Sequence, residues 1–156
     1  MEKVAIFAGT FDPFTLGHYE IVVRALKNFD KIIVAIADDS NRKSCRFNAN
    51  ARKEIAIKSL EGINGVEVEI FEGLLVDYMK KKGVNTLVRG IRNTIDFEYE
   101  KTLFNAYKTQ LDKIEGFYLI CSSEYEYLSS SLVREVLSFG GSVEQYICKN
   151  ALPLIK

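Results

Sequence analysis

The segment GTFDPFTLGH, residues 9 to 18, concentrates groups that bind anions. It follows an apolar run at residues 4 to 8 and contains the single histidine of the chain, His18. Thr15 has the type and position of a helix N-cap, which would place His18 in the first helical turn. Free N–H groups and the positive end of the helix dipole attract phosphate there. On this segment alone, a phosphate contact and an ordinary surface histidine beside a cap are equally supported.

Two arginines and a carboxylate follow a later apolar run. Arg89 and Arg92 lie on either side of Gly90, which would allow a tight turn. Two guanidiniums so placed could hold phosphates through bidentate hydrogen bonds. Asp96 is expected to cap the helix that follows. Glu100 then falls on the inward stripe of this helix, where a carboxylate needs an arginine partner or a ligand. A structural salt bridge and a ligand contact are equally supported.

A serine triplet and a basic segment complete the candidate groups. Ser129, Ser130 and Ser131 lie where a helix is expected to begin, so their hydroxyls and free N–H groups could form a second phosphate cradle. Ordinary capping needs only one serine. The segment 38–52 also follows a predicted strand, although such a charge run is usually a solvated loop. Its basic residues include Arg42, Lys43, Arg46 and Arg52.

The hydrophobic pattern predicts strands and helices in alternation. Buried strands, each followed by a helix, indicate an α/β fold: a doubly wound, five-stranded parallel sheet of Rossmann-like order 3-2-1-4-5. Ligands of such sheets bind at the carboxyl ends of the strands, where the candidate groups lie. Leu74 is expected to pack inward, and Leu75 to lie at a pocket mouth. The predicted strands are 4–8, 31–37, 66–71, 85–90 and 116–121, and the predicted helices are 17–29, 50–62, 74–83, about 96–111 and 129–140.

Composition narrows the function classes. The 156 residues suffice for one domain, spanning 1–156, with a sizeable core. Lys plus Arg and Asp plus Glu number 21 each, and this balance argues against bulk binding of nucleic acid or an anionic membrane. No apolar run approaches the roughly 20 residues of a membrane span. The three cysteines form no CxxC pair, and one histidine cannot complete a common zinc set. We therefore expect no protein metal site, reduced thiols and a cytoplasmic location.

The motifs together resemble a known enzyme family. GTFDPFTLGH and SSSLVRE resemble the nucleotidyltransferase superfamily, which carries a (T/H)xGH motif and a C-terminal serine-rich motif. RGIRNTIDFEYE, residues 89–100, narrows the resemblance to the bacterial phosphopantetheine adenylyltransferases. The likeness covers nearly the whole chain. It implies transfer of the adenylyl group of ATP to 4′-phosphopantetheine, which gives dephospho-coenzyme A and pyrophosphate.

The resemblance also implies roles for individual residues. Thr10 and His18 would contact the attacked phosphate, His18 would stabilise charge in the transition state, and Arg92 would act beside them. Contacts with the phosphopantetheine substrate would come from Thr10, Arg89, Leu75 and the basic segment. ATP would contact Thr10, Phe11, His18, Gly90, Ile91, Arg92, Glu100, Tyr125, Glu126, Tyr127, Leu128, Ser129, Ser130 and Ser131.

The chemistry implied by the resemblance needs no catalytic base. The attacking phosphate oxygen is already ionised at neutral pH, so direct in-line attack without a covalent intermediate is expected. The family uses Mg²⁺ with ATP and typically forms a hexamer built as a dimer of trimers. Coenzyme A or dephospho-coenzyme A is expected to bind as a product-like ligand.

One stretch departs from the family pattern. NRKSCRFNANAR lacks the usual proline and has Arg42 at the position of the first of two lysines. The contact with the substrate phosphate is therefore open between Arg42 and Lys43. A nucleotidyltransferase acting on a pyridine mononucleotide or a polyol phosphate is a rival, although those usually carry histidine at the position of Thr15. A non-catalytic nucleotide-binding module is a second rival, because fold alone does not exclude it.

Overall fold

A five-stranded parallel sheet forms the centre of the computed structural model, which describes residues 1–38 and 44–155. The strands lie in the order β3-β2-β1-β4-β5, which confirms the predicted doubly wound α/β class. The strands are β1 (Val4–Gly9), β2 (Lys31–Ala37), β3 (Val66–Phe71), β4 (Thr86–Ile91) and β5 (Glu115–Ile120). The helices are α1 (Leu16–Ala25), α2 (Ala49–Ser59), α3 (Leu75–Lys82), α4 (Thr94–Lys108) and α5 (Ser130–Ser138), with 3₁₀ turns at Ser123–Tyr125 and Lys149–Leu154.

The central strands are buried because helices cover both faces of the sheet. β1 and β2 pair in register from Val4 with Lys31 to Gly9 with Ile36. Alternate β1 residues enter two separate cores. Phe7 packs in the core that contains residues of α1, α2 and α5, and Ile6 packs in the core that contains residues of α3 and α4. Burial of each such side chain contributes about 1.5–3 kcal/mol, which fixes the strand order and hence the edge where ligands bind.

Two local predictions for the region around β4 are wrong. Gly90 does not form a turn, because β4 continues to Ile91. A Cβ at Gly90 would lie 3.1 Å from the Ile21 side chain, so close packing accounts for the glycine. The N-cap of α4 is Asn93, whose side chain accepts a hydrogen bond from the N–H of Asp96. Asp96 therefore lies in the first turn, where its carboxylate pairs with the guanidinium of Arg92.

A buried arginine holds three chain segments together at the carboxyl edge of the sheet. Arg52 of α2 is 2% exposed. Its guanidinium donates to the carbonyls of Thr10 at 2.7 Å, Ala37 at 2.9 Å and Phe47 at 3.0 Å. These carbonyls follow β1, end β2 and precede α2, respectively. Partners of this kind offset the cost of burying a charge. The usual solvated-loop interpretation of this basic segment is therefore wrong for Arg52.

An apolar surface remains exposed at the β5 edge of the sheet. We call it the α4–β5 face. It includes a groove of about 130 Å³ that is lined by Phe97, Phe104 and Tyr118 together with Glu100 and Lys101. Its exposed apolar side chains include Phe97, Tyr118 and Ile120.

None of the helices in the described part of the chain is both long enough and apolar enough to cross a membrane.

Candidate active site

A cavity of about 250 Å³ opens at the carboxyl edge of the sheet, where β1 and β4 lie side by side. Its walls come from these two strands, from the beginnings of α1, α4 and α5, and from the segment after β5. This is the crevice in which doubly wound sheets bind ligands. The lining residues are Phe7, Ala8, Gly9, Thr10, Phe11, Thr15, Gly17, His18, Ile21, Arg89, Gly90, Arg92, Asp96, Glu100, Cys121, Tyr125, Leu128, Ser129 and Ser130.

Most of the predicted site residues lie in this cavity wall, although their roles stay predictions. Ile91 is buried at the end of β4 outside the wall, and Glu126, Tyr127 and Ser131 are exposed. The predicted residues that do line the cavity are Thr10, Phe11, His18, Arg89, Gly90, Arg92, Glu100, Tyr125, Leu128, Ser129 and Ser130.

The residues predicted to contact the pantetheine arm and the substrate phosphate either do not line the cavity or lie outside the described residues. Leu75 is half-buried against the core of α3 and does not line the cavity. Leu74 is 53% exposed, so its predicted inward packing is wrong. The reason is that α3 begins at Leu75, which leaves Leu74 in extended backbone before the first turn. Arg42 and Lys43 lie outside the described residues.

His18 caps the helix on which it lies. Thr15 is the N-cap of α1, as predicted, and its Oγ1 accepts from the N–H of His18. In return, the backbone N–H of Thr15 donates to Nδ1 of His18 at 3.0 Å. A nitrogen that accepts a hydrogen bond carries no proton, so the proton of the neutral ring is on Nε2. The cap thus fixes the tautomer and leaves Nε2–H as the remaining ring donor.

The surroundings of His18 keep its ring uncharged. Its centroid lies 6.1 Å from that of Phe7, 4.9 Å from that of Phe11 and 5.3 Å from that of Phe14. Burial, followed by the positive charges of Arg92 and Arg89, lowers the pKa of His18 from 6.5 to about 3. At neutral pH the ring is therefore a hydrogen-bond donor and not a cation.

Arg89 and Glu100 form a buried pair in the cavity wall. Nε of Arg89 donates to Oε2 of Glu100 at 2.9 Å, and Nη2 donates to Oε1 at 2.6 Å. Nη1 donates to the carbonyl of Ala8 at 2.6 Å. A guanidinium has five N–H donors, so Arg89 retains two beyond these three bonds. The salt-bridge alternative for Glu100 is thus observed, and a ligand contact is still open to the same pair.

Arg92 is tied to two different segments of the cavity wall. Its Nε donates to Oδ2 of Asp96 at 3.0 Å, and its Nη1 donates to the carbonyl of Leu128 at 3.1 Å. The first bond orients the guanidinium on α4, and the second joins it to the segment before α5. Both carboxylates in the cavity wall, those of Asp96 and Glu100, are therefore bonded to arginines.

The three serines at the start of α5 all have partners in the protein. Ser129 is the N-cap, and its Oγ accepts from the N–H of Leu132 at 3.1 Å. Oγ of Ser130 donates to the carbonyl of Pro13 at 2.8 Å, and Oγ of Ser131 accepts from Arg134. The argument that three serines imply a phosphate cradle is thus weakened, because each hydroxyl already has a partner: those of Ser129 and Ser131 bond within α5, and that of Ser130 ties α5 to the segment between β1 and α1. A phosphate cradle here would depend on the N–H groups of the first helical turn.

Sequence reasoning missed some of the cavity wall. Cys121 directly follows β5, and its Sγ would be 3.3 Å from a Cβ added at Gly90. The predicted strand 116–121 ends on this cysteine, so its place at the carboxyl end of a strand was the available signal, but its apolar context suggested a small buried residue. A glycine at the position of Gly9 could turn the chain, yet Gly9 is the last residue of strand β1. A Cβ there would lie 3.1 Å from the Phe11 ring, so the glycine admits that ring.

The protein groups near the cavity do not make a metal cage. In residues 1–38 and 44–155, no three His, Cys, Asp or Glu side chains come together in a way that could hold a metal ion. The carboxylates of Asp96 and Glu100 are bonded to guanidiniums. This donor set fits a cation that arrives on a polyphosphate better than a resident ion, because Mg²⁺ is commonly held through substrate phosphates and water.

The tautomer and charge of His18 can be measured directly, because no other histidine contributes a signal. In ¹⁵N NMR of histidine-labelled protein, we expect Nδ1 unprotonated, Nε2 protonated and no titration between pH 5 and 8. The urea-unfolded chain is the control and should titrate near 6.5, the ordinary histidine value. A native midpoint between 6 and 7, or a proton on Nδ1, would contradict the assignment.

The same pKa shift predicts a pH dependence of stability. Between about pH 3 and 6.5 the unfolded histidine binds a proton that the native ring does not, so the free energy of unfolding should rise with pH in this range. Urea unfolding of the wild type and His18→Asn at pH 4 and 7 tests this. The pH-dependent loss should be smaller in the variant, and equal losses would count against a depressed pKa.

Comparisons with known proteins show which family this chain resembles. A family model described as cytidylyltransferase-like matches residues 6–136. Phosphopantetheine adenylyltransferase of Thermotoga neapolitana is 40% identical over 92% of this chain and 89% of its own length. The Campylobacter jejuni enzyme of that name is 40% identical over 97% of this chain and 95% of its own length. The enzyme of that name from Thermodesulfovibrio yellowstonii is 41% identical over 94% of this chain and 91% of its own length.

Solved structures support the fold alone. A bifunctional NMN adenylyltransferase/ADP ribose pyrophosphatase of Francisella tularensis superposes with a TM-score of 0.74 at 19% identity, over 96% of this chain and 46% of that protein. A Vibrio parahaemolyticus protein described as a nicotinate-nucleotide adenylyltransferase superposes with a TM-score of 0.67 at 20% identity over 100% of both chains. Because the matches at about 40% identity cover nearly the full length, and the motif residues meet in one cavity, the chain belongs to the phosphopantetheine adenylyltransferase family of cytidylyltransferase-like nucleotidyltransferases.

Proposed function

We propose that this protein transfers the adenylyl group of ATP to 4′-phosphopantetheine and releases pyrophosphate and dephospho-coenzyme A. The observation that carries the proposal is the meeting of His18, Arg89 and Arg92 in one cavity between β1 and β4. Membership of the family supports the choice of substrates. The cavity offers fixed donors for phosphate oxygens, and adenylyl transfer needs positioning and charge stabilisation more than it needs a reactive side chain.

The absence of a free carboxylate among the described residues of the wall supports direct attack. Asp96 and Glu100 are each bonded to a guanidinium, so neither is placed as a general base. The phosphate of phosphopantetheine is largely ionised near neutral pH, since its second pKa is about 6. Its oxygen can therefore attack the α-phosphorus without losing a proton to the enzyme, and no covalent enzyme intermediate forms.

The donors that remain suggest how the transition state is held. Nε2–H of His18 and the N–H groups at the start of α1 would meet the α-phosphate, close to Thr10. Arg89 and Arg92, with two N–H groups each beyond their protein bonds, would meet the remaining phosphates. The first turn of α5 would add N–H donors for the β- and γ-phosphates.

The other substrate contacts extend the proposal. Mg²⁺ would be bound by the phosphates of ATP and would neutralise part of their charge. Leu75 would border the pantetheine arm, and Arg42 or Lys43 would contact the substrate phosphate. Dephospho-coenzyme A and coenzyme A would bind as product-like ligands. The free thiols of Cys45, Cys121 and Cys148 support a reducing, cytoplasmic setting.

A product assay tests the function. The wild type with Mg²⁺, ATP and 4′-phosphopantetheine should form dephospho-coenzyme A and pyrophosphate in equal amounts, and should form little product with nicotinate mononucleotide. Preference for nicotinate mononucleotide would instead identify a pyridine-nucleotide adenylyltransferase. Binding of ATP without either product would indicate a non-catalytic module.

Substitutions of His18 separate its catalytic role from its capping role. His18→Asn keeps an acceptor near the position of Nδ1 but lacks the distal donor, whereas His18→Gln can place an N–H near the position of Nε2. We expect His18→Ala and His18→Asn to lower kcat by roughly 10²–10³-fold with ATP affinity largely retained, since one transition-state donor is lost. His18→Gln should keep more turnover than His18→Asn and be less stable. The reverse order of turnover would contradict a donor role.

We also propose that copies of the chain associate through the α4–β5 face, in a hexamer. The exposed fractions of Ile120 and Phe97, 76% and 51%, and the edge position of β5 support burial of this face in an assembly. Sedimentation should give six times the chain mass of 17.7 kDa. Ile120→Glu should shift the protein to smaller species, whereas Ile57→Glu on α2 should not. A wild-type monomer at micromolar concentration would contradict this proposal.

A further inference from the structure

Asp12 is a buried carboxylate next to the cavity but not in its wall. It is 3% exposed, and its side chain accepts two backbone hydrogen bonds. Oδ2 accepts from the N–H of Arg46 at 2.9 Å, and Oδ1 accepts from the N–H of Phe47 at 2.9 Å. Both carboxylate oxygens are thus used within the protein. Asp12 does not face the cavity, where an anion would repel phosphate.

The two hydrogen bonds join the segments that follow the two central strands. Asp12 lies in the segment between β1 and α1, two residues after Thr10 in the cavity wall. Arg46 and Phe47 lie just before Asn48, the N-cap of α2. Residues 39–43 are not needed for this connection, because both of its ends are described. We call the segment between β1 and α1 the first loop and the segment between β2 and α2 the second loop. The carboxylate of Asp12 therefore fixes the start of the first loop against the end of the second loop.

Arg52 holds the same two segments from the other side. It donates to the carbonyl of Thr10 and to the carbonyl of Phe47. The backbone of Phe47 is thus bonded at its N–H by Asp12 and at its carbonyl by Arg52. We call these contacts of Asp12 and Arg52 the loop clamp. Because both the N–H and the carbonyl of Phe47 are bonded, the loop clamp restricts sliding of the two segments past each other as well as their separation.

The charge of Asp12 is compensated locally. Nη1 of Arg134 lies 3.9 Å from Oδ2 of Asp12 and donates to its backbone carbonyl at 2.9 Å. The link from α5 to this loop therefore depends on the carbonyl of Asp12 and on that of Pro13, which accepts from Ser130. A substitution of the Asp12 side chain leaves both carbonyls in place. It should disturb the second loop more than it disturbs α5.

We propose that Asp12 is a positioning residue for adenylyl transfer, acting through the N–H groups of Arg46 and Phe47 to anchor the segment that carries Thr10, a residue of the cavity wall, against the segment before α2. This inference rests on the proposed function. Asp12 touches no reacting atom. It acts because in-line transfer depends on geometry, and a misplacement of about 1 Å can cost roughly 100-fold in rate.

Steady-state kinetics of Asp12→Asn tests the inference. An amide offers one acceptor oxygen in place of two, so one of the two N–H groups loses its partner. We expect kcat to fall by roughly 10–100-fold, while the dissociation constant of ATP, measured by calorimetry, changes by less than about 3-fold. Asp12→Ala should be slower still, because both N–H groups are left unbonded.

Asp30→Asn is a matched control. The carboxylate of Asp30 also accepts from a backbone N–H, that of Lys3 at 2.7 Å, but at the opposite end of β1. Its kcat should equal that of the wild type. Rates are compared per ATP-binding site, at a temperature well below each unfolding midpoint, so that a merely unstable variant does not mimic a mispositioned one.

Amide hydrogen exchange tests the loop clamp independently of catalytic turnover. In the wild type the amides of Arg46 and Phe47 should exchange slowly, and in Asp12→Asn they should exchange faster while amides of β4 do not change. Unchanged exchange, or an unchanged kcat in an active Asp12→Asn enzyme, would overturn the inference alone. A wild type that forms no dephospho-coenzyme A would overturn the proposed function, and the inference with it.

Discussion

Compensation of positive charge at one edge of the sheet is the constraint on which the site depends. A guanidinium stays protonated at any physiological pH, so each arginine near the buried edge needs oxygen partners. The structure supplies them from different chain segments: carbonyls for Arg52, Glu100 for Arg89, and Asp96 with the carbonyl of Leu128 for Arg92. The bonds that stabilise the charges therefore also fix the loops around the cavity. The same bonds orient the guanidiniums of Arg89 and Arg92, whose remaining N–H groups are available to a phosphate.

Burial, together with the same charges, explains why the single histidine is neutral. His18 lies among three phenylalanine rings and close to Arg89 and Arg92, which keep the imidazole neutral. Thr15 fixes the tautomer by donating to Nδ1. A neutral donor does not change its protonation state during the reaction, so it suits a step in which no proton is transferred to the enzyme. One side chain closes the helix cap and keeps a ring donor for the proposed phosphate contact, so the predicted cap at Thr15 does not exclude a ligand role for His18.

Periodicity predicted the strand order and the edge where the site lies, because buried parallel strands leave few arrangements of the chain. Periodicity did not predict which individual side chains contact one another. Asp96 was interpreted as a cap because Asx residues favour that position, yet Asn93 caps α4 and Asp96 binds Arg92. The burial of Arg52 and the bonds of Asp12 depend on loops that meet only after the sheet has formed. No local pattern in the sequence distinguishes such an arginine from a solvated one.

The central claim is that the cavity positions two substrates for direct transfer and that the enzyme forms no covalent bond with either substrate. The stereochemical course at the α-phosphorus tests it most directly. One diastereomer of adenosine 5′-O-(1-thiotriphosphate) would be used as the donor with 4′-phosphopantetheine, and the configuration of the thio-substituted product determined by ³¹P NMR. A single in-line displacement predicts inversion. Net retention would require two displacements through an adenylylated enzyme and would contradict the account.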